Sequence, residues 1–454
     1  MWGGGDKVPS DVKIKSPRAY QDVVGEWECP AGMFVRRVSG IGCVSWHDTP
    51  AHSLSSDGEK FVARFSQRII ASPATLWYNS RMKQNNPFVI VGYNGPEYFC
   101  DRKKETAKLI AAIENDRNVT LIAPRRYGKT GLLHHVNRQL PEEYAGVYLD
   151  IFALKNLSEF ARAFASAVVG SLDTPVEKAM TTVARFFKSC RPTVTPQEDG
   201  MPKFSFDVVP QQAEATIAET FDYLKKRDRR VVIAIDEFQQ ILEFPETGTE
   251  AMLRSHVQDV PWVRFIFAGS RHHLMGEMFL SAKHPFYQST DVMSLDVIDC
   301  TTYAEFARRR FADAGQPFDE DAFKSLYRRF DGVTWYVQSV LNRVWQGGEG
   351  FTSEKQIDDV VADLVEDRSL VFRDLYFSQN ESSQRLLSAI AEEGEAKGLM
   401  SGEFMQKYRL SAASSVRSAL KVLLRNDLVY QTKAGYVVYD RIFGEWLRLR
   451  SNER

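Results

Sequence analysis

The chain has 454 residues, 44% of them apolar and 26% charged, and a formal net charge of −1. That length suggests roughly two to four domains, and the balanced charge gives no global field to draw the chain onto nucleic acid or an anionic membrane. No apolar run approaches the roughly 18 residues a membrane helix needs, no signal-like start is present, and five scattered cysteines form neither a disulfide framework nor a zinc spacing, so a cytoplasmic location is expected.

Residues 1–81 open on Gly3-Gly4-Gly5 and carry Pro9, Pro17, Pro30, Pro50 and Pro73 with little periodicity; Phe61 to Ile70 is a short helix-like run. An ordered pattern starts at Met82. The expectation is that Met82 is the natural start and that 1–81 are a disordered extension or upstream sequence translated in error. A genuine N-terminal module is the competing reading.

From about 86 to 295 strands and helices alternate. Strands are expected at 119–123, 146–151, 231–235, 263–268 and 292–295, and helices at 101–115, 129–139, 157–170, 211–226 and 249–258. Alternation of this kind predicts an α/β fold, a parallel sheet covered by helices. The polar, Pro-rich stretch 190–210 reads as an interrupting loop.

The first strand, Val119 to Ile122, runs into Gly128-Lys129-Thr130, and the apolar-periodic Leu132 to Val136 follows at once. This is the strand–loop–helix order of a phosphate-binding loop. Backbone N–H groups and the positive end of the helix would cradle phosphate. Lys129 would reach the β- and γ-phosphates, and the Thr130 hydroxyl would ligate Mg²⁺. Ala123 stands where the usual pattern has glycine, a small residue in either case. A bare Gly-Lys-Thr also occurs at ordinary helix starts, so a second element is needed. Residues 229–238 supply it, a continuous apolar strand ending in the two carboxylates Asp236-Glu237. Asp236 is placed to hold Mg²⁺ and Glu237 to polarise the attacking water.

A third strand, 262–268, ends in Gly269-Ser270-Arg271, at the sheet edge where ligands of such folds sit. Ser270 or Arg271 would sense the γ-phosphate there; Arg271 as a plain helix-capping arginine is an equal reading. His272 and His273 lack partners at metal-ligand spacing and read as helix-start residues. Beyond 300 the pattern turns helical, at Tyr303 to Phe311, Ala322 to Phe330 and Thr334 to Trp345. The Arg308–Arg310 run reads as a solvated helix face before a phosphate-contacting finger.

The last segment has the pattern of a winged helix: a helix around Leu386 to Ala391, a second at Gly402 to Tyr408, and a third from Ser411 to Arg425 opening on a capping serine. A hairpin over 428–440 with its turn at Lys433-Ala434-Gly435 follows. In DNA readers the third helix enters the major groove, and Arg417, Lys421 and Arg425 share one of its faces. Residues 376–454 carry 12 Lys/Arg against 9 Asp/Glu, too mild an excess to mark a DNA footprint. A docking or autoinhibitory winged helix is as good a reading.

Together these residues resemble the archaeal-type P-loop ATPases, a branch of the STAND class of signal-transducing NTPases, and look closest to bacterial members from gut anaerobes. The resemblance covers about 82–450. Tyr98 to Glu105 is similar to the family's entry motif beside the adenine, with Arg102 matching its arginine and Asp101 replacing its glycine. Pro124-Arg125-Arg126-Tyr127-Gly128-Lys129-Thr130, with Gly131 after it, matches the family's phosphate loop. Asp331-Gly332-Val333-Thr334-Trp335-Tyr336-Val337-Gln338 lies where relatives often carry a Gly-x-Pro-type segment on a helical lid; the proline is absent, and no adenine contact is assigned there.

The resemblance implies a P-loop NTPase domain over 82–296, a helical lid over 297–372 and a winged helix over 373–454. ATP and Mg²⁺ are the implied cofactors. Lys129, Glu237 and Arg271 would be catalytic, with nucleotide contacts from Arg102, Pro124 to Gly131 and Ser270. It implies a slow ATP-hydrolysing switch with a regulatory or defence-type role, acting through a protein partner or self-association and without membrane. A DNA-associated ATPase is the first alternative, and a nucleotide-binding scaffold with negligible hydrolysis the second.

Overall fold

In a computed structural model of the chain, the described residues are 86–172, 185–196, 202–227, 229–432 and 434–452, with two short strands nearer the N-terminus. The chain divides into two units, Met1–Lys83 and Gln84–Arg454. In the first, β1 (Val35–Val38) pairs antiparallel with β2 (Ile41–Val44). These two strands apart, the expectations for 1–81 and for a start at Met82 lie outside the described residues.

The second unit begins with α1 (Lys103–Glu114), β3 (Val119–Ile122), α2 (Lys129–Gln139), β4 (Tyr144–Asp150) and α3 (Leu157–Leu172). Five strands form one parallel sheet in the order β4-β7-β8-β3-β9, with β7 (Arg230–Asp236), β8 (Val263–Gly269) and β9 (Asp291–Ser294). Every residue of β3 and β8 is buried, as strands covered on both faces must be. Side chains alternate between two cores, following the period of two along a strand. Val232, Ala234, Ile266 and Ala268 pack with Leu109, Ile113, Leu132 and Val136 of α1 and α2. Val231, Ile233, Phe265 and Phe267 face the other way, into Phe160, Phe164 and Phe221; these last come from α3 and α4 (Ala213–Lys225). Because β8 lies between β3 and β7, three adjacent strands deliver their C-terminal ends to one edge. This edge carries Gly128-Lys129-Thr130, Ser270 and Asp236-Glu237.

The stretch 190–210 departs from its reading as a loop. It forms an antiparallel hairpin of β5 (Arg191–Pro196) and β6 (Pro202–Asp207). Phe206 and Val208 are buried while Ser205 and Asp207 are exposed, a strand alternation that the prolines obscure. Proline is tolerated because both strands of a two-stranded ribbon are edges.

The sheet is completed by α5 (Thr249–Gln258) and α6 (His272–Leu280). Then come α7 (Cys300–Asp313), α8 (Glu320–Arg329), α9 (Thr334–Gly347) and α10 (Glu354–Glu366). The side chains of Asp299 and Asp319 cap α7 and α8 by accepting from the N–H groups of Thr302 and Ala322. The winged helix comprises α11 (Ser369–Phe377), α12 (Glu381–Glu393), α13 (Gly402–Lys407), α14 (Ala413–Arg425), the β10 (Val429–Gln431) and β11 (Tyr436–Val438) wing, and α15 (Arg441–Asn452). The capping reading of Ser411 is corrected: α14 begins two residues later, its N-cap is Ala412, and no side chain caps it. One continuous core runs from Ile298 through Leu341 and Ile390 to Leu447. Among the described residues, no helix is long and apolar enough to cross a membrane.

Candidate functional site

The loop from β3 to α2 turns on Gly128, whose φ of +85° lies in the left-handed region glycine occupies without cost. Arg126 also has a positive φ, +73°. Ala123 does not share this constraint. Its backbone is outside the left-handed region, its methyl is fully buried in the core beneath the loop, and its N–H donates to the Gly269 carbonyl at 3.1 Å. Glycine is therefore not needed there. Gly131, one residue into α2 beyond Thr130, has Phe99 close enough that an added Cβ would stand 3.4 Å from its ring.

Lys129 opens α2 and is buried. Its Nζ lies 2.6 Å from both Asp236 Oδ1 and Glu237 Oε1. The Thr130 hydroxyl donates to Asp236 Oδ2 at 2.7 Å, and Tyr148 OH donates to the same oxygen at 3.2 Å. Glu237 sits where β7 stops, at φ +56°, uncommon for a residue with a side chain. Its second oxygen accepts from Ser270 Oγ and Gln239 Nε2, each at 2.6 Å. Burial opposes its charge, but the Lys129 ammonium and the bonds from Lys129, Ser270 and Gln239 outweigh burial and hold the carboxyl below its ordinary range. Asp150, in register beside Asp236 on β4, moves the other way. Burial raises its pKa, and the nearby charges of Asp236 and Glu237 add to that against the Phe152 N–H bond.

A cavity of about 350 Å³ opens beside these groups. The loop from Pro124 to Gly131, Arg102, Phe99, Glu237, Ile298 and Gln338 contribute to its lining. Arg102 is 2% exposed. Its guanidinium donates to the Tyr127 carbonyl and to Glu105, each at 3.1 Å, so it braces the loop from beneath. Asp101 and Arg102 both have left-handed backbones, φ +56° and +61°. The turn thus keeps a conformation glycine favours, with aspartate occupying it.

Arg125, Arg126 and Arg271 are engaged elsewhere. The Arg125 N–H donates to Tyr439 OH at 3.1 Å, and its side chain lies over the Phe152 ring. Arg126 pairs with Asp440 at 2.9 Å, donates to Tyr336 OH and stacks on Trp335, 4.6 Å from the ring centre. Arg271 bonds Glu243 and lies 3.5 Å from Asp427. It is outside the cavity lining, so the structure does not bring this predicted sensor to Lys129 and Glu237. Lid and loop also join directly: Trp335 N–H donates to the Arg126 carbonyl at 3.1 Å, and Thr334 Oγ1 donates to that of Tyr127 at 3.5 Å. Sequence reasoning missed Tyr148, Gln239, Tyr439 and Asp440. Only Gln239 had a local signal, two residues beyond Glu237.

Comparison with known proteins agrees with this geometry. Residues 99–340 match the family described as "ATPase domain predominantly from Archaea", and residues 370–449 match "Probable winged helix domain". An uncharacterized ATP-binding protein of Pyrococcus abyssi is 26% identical over 147 residues, 32% of this chain. The match spans 44% of that relative's length. Among solved structures, the Walker-type ATPase of Pyrococcus abyssi is 17% identical, covers 80% of this chain and 99% of its own, and superposes with a TM-score of 0.57. The Aeropyrum pernix ORC2 protein, in ADPNP–ADP complexes, is 16% identical, covers 82% and 99%, and has a TM-score of 0.53. Both likenesses are of fold.

Proposed function

Because this chain belongs to the family of ATPase domains found predominantly in Archaea, we propose that it is an ATP-binding, slowly hydrolysing switch of the STAND type with a regulatory or defence-type output. The residues fit Mg²⁺: Thr130 and Asp236 place a hydroxyl and a carboxylate 2.7 Å apart, and this ion is typically held by one or two carboxylates together with substrate phosphate. When bound, the ion would neutralise phosphate charge. The first N–H groups of α2 would bind phosphate oxygens. Those oxygens would compete with Glu237 for Lys129, releasing the carboxylate while Ser270 and Gln239 keep it oriented. Ionised at neutral pH, Glu237 would then accept the proton of the attacking water.

The observation that supports a switch is the fate of three arginines. Arg125 and Arg126 of the phosphate loop and Arg271 beside Ser270 all contact the winged helix, at Tyr439, Asp440 and Asp427. Nucleotide state and winged-helix position would therefore be read by the same residues. An Asp427→Asn, Asp440→Asn variant is expected to release a fluorescent ADP analogue about tenfold faster, as lost interdomain charge pairs act mainly on off-rates. An unchanged off-rate would count against the switch.

A second reading, a DNA-associated ATPase, has its own observation. Arg417, Lys421 and Arg425 are all exposed on α14. If duplex DNA is a ligand, affinity will fall steeply with salt, and an Arg417→Ala, Lys421→Ala variant will lower the slope by about two. Absence of salt-dependent binding in the wild type removes this reading.

A further inference from the structure

Asp236 is fixed by more donors than the phosphate loop supplies. Its Oδ1 lies 2.6 Å from Lys129 Nζ and accepts the Glu237 N–H at 2.9 Å. Its Oδ2 accepts from two hydroxyls, Thr130 at 2.7 Å and Tyr148 at 3.2 Å. Two of these donors would be drawn away when nucleotide and metal bind. Phosphate oxygens would compete for the Lys129 ammonium, and the Thr130 hydroxyl would turn a lone pair to the metal. Tyr148 is the side-chain donor that remains. It is outside the cavity lining, so it acts on Asp236 and not on the nucleotide. Its place is set by the sheet. Its register partner on β7 is Ala234, two residues before Asp236, and both face the core beneath α1 and α2. His134 of α2 packs against the phenol ring, the two ring centres 4.2 Å apart. A phenylalanine would pack there equally well. What the hydroxyl adds is a bond to Asp236.

We propose that Tyr148 is a positioning residue for the divalent cation. Its hydroxyl holds the Asp236 carboxylate in the orientation that receives Mg²⁺, directly or through water, after Lys129 and Thr130 have turned to the nucleotide. The inference rests on the nucleotide-site reading above and adds a residue that touches neither nucleotide nor metal. A phenol is protonated at neutral pH and can donate one such bond. Hydrogen bonds that orient a metal-holding side chain are typically worth about 10–100-fold in metal affinity.

The test uses the full chain with ADP, and Mn²⁺ as the probe ion, its free concentration read from the electron paramagnetic resonance signal. Tyr148→Phe is expected to bind Mn²⁺ about tenfold more weakly than the wild type in the ADP complex, and to bind ADP without metal as the wild type does. A tyrosine with only a packing role would weaken both together or neither. Unchanged or tighter Mn²⁺ binding, or an equal loss of metal-free ADP affinity, overturns the assignment while leaving the nucleotide site standing. A wild type that binds ADP but retains no Mn²⁺ overturns the metal site and the assignment with it. One that binds no ADP overturns the nucleotide site as well. If Tyr148→Phe does not fold, Tyr148→Met, which also lacks the hydroxyl, takes its place with the same outcomes.

Discussion

Lys129→Ala is expected to lose about 3–5 kcal/mol of unfolding free energy, the cost of removing one partner from a buried ion pair, and to bind ATP at least about 100-fold more weakly. The stability loss follows from Nζ lying 2.6 Å from two carboxylates, with side chains 6%, 2% and 14% exposed for Lys129, Asp236 and Glu237. Without the ammonium, two anions face each other near Asp150. Removing one of them should help. In the Lys129→Ala background, Glu237→Gln is expected to recover about half the loss, because it takes away an orphaned charge. The effect also has a pH signature. A carboxyl held below its ordinary value of 4.5 contributes stability that is full above that value and lost as pH falls through the lowered one. The gap between wild type and Lys129→Ala in urea denaturation should therefore narrow below about pH 4.5. Tight ATP binding by Lys129→Ala would overturn the site assignment.

Glu237→Gln should leave ATP binding intact and lower turnover by about 10²–10⁴-fold, the range a general base supplies. Glutamine keeps the shape and can still meet Ser270 and Gln239, whereas it cannot take a proton from water. The variant should thus accumulate bound ATP in single-turnover measurements. Loss of the Lys129 pair will cost some stability, so binding must be measured beside turnover. If wild type and variant hydrolyse ATP equally slowly, the protein is a nucleotide-binding scaffold and the catalytic role of Glu237 falls.

Local pattern carried most of the sheet into view. β3, β7 and β8 are apolar runs with polar exits, and each emerges within a residue or two of its expected bounds. Their C-terminal residues lie together because parallel strands with adjacent ends leave no other arrangement. Lys129, Thr130, Asp236, Glu237 and Ser270 consequently meet within hydrogen-bonding distance. The hairpin at β5 and β6 was illegible because its prolines outweigh an alternation of only two buried positions. The Arg126 contacts were illegible for a different reason. Asp440 and Tyr336 are 314 and 210 residues away in sequence, and no periodicity within either segment reports a pairing across that distance. Arg271 shows the same limit in reverse. Its place beside Ser270 is local information, but its partner Asp427 is fixed by how the winged helix docks.

The shared core of lid and winged helix carries a mechanical consequence. Tyr336 of α9 donates to Asp440 and accepts from the Arg441 N–H, Arg329 of α8 bonds both Asp358 and Glu445, and one apolar core runs through both parts. A hinge between those two parts would have to break this apolar seam at each cycle. The cheaper fulcrum is the short connection from Leu295 to Asp299, between β9 and α7. In the proposed switch, lid and winged helix would move as one lever, and a small rotation at the phosphate end would become a larger displacement of the far surface of α14.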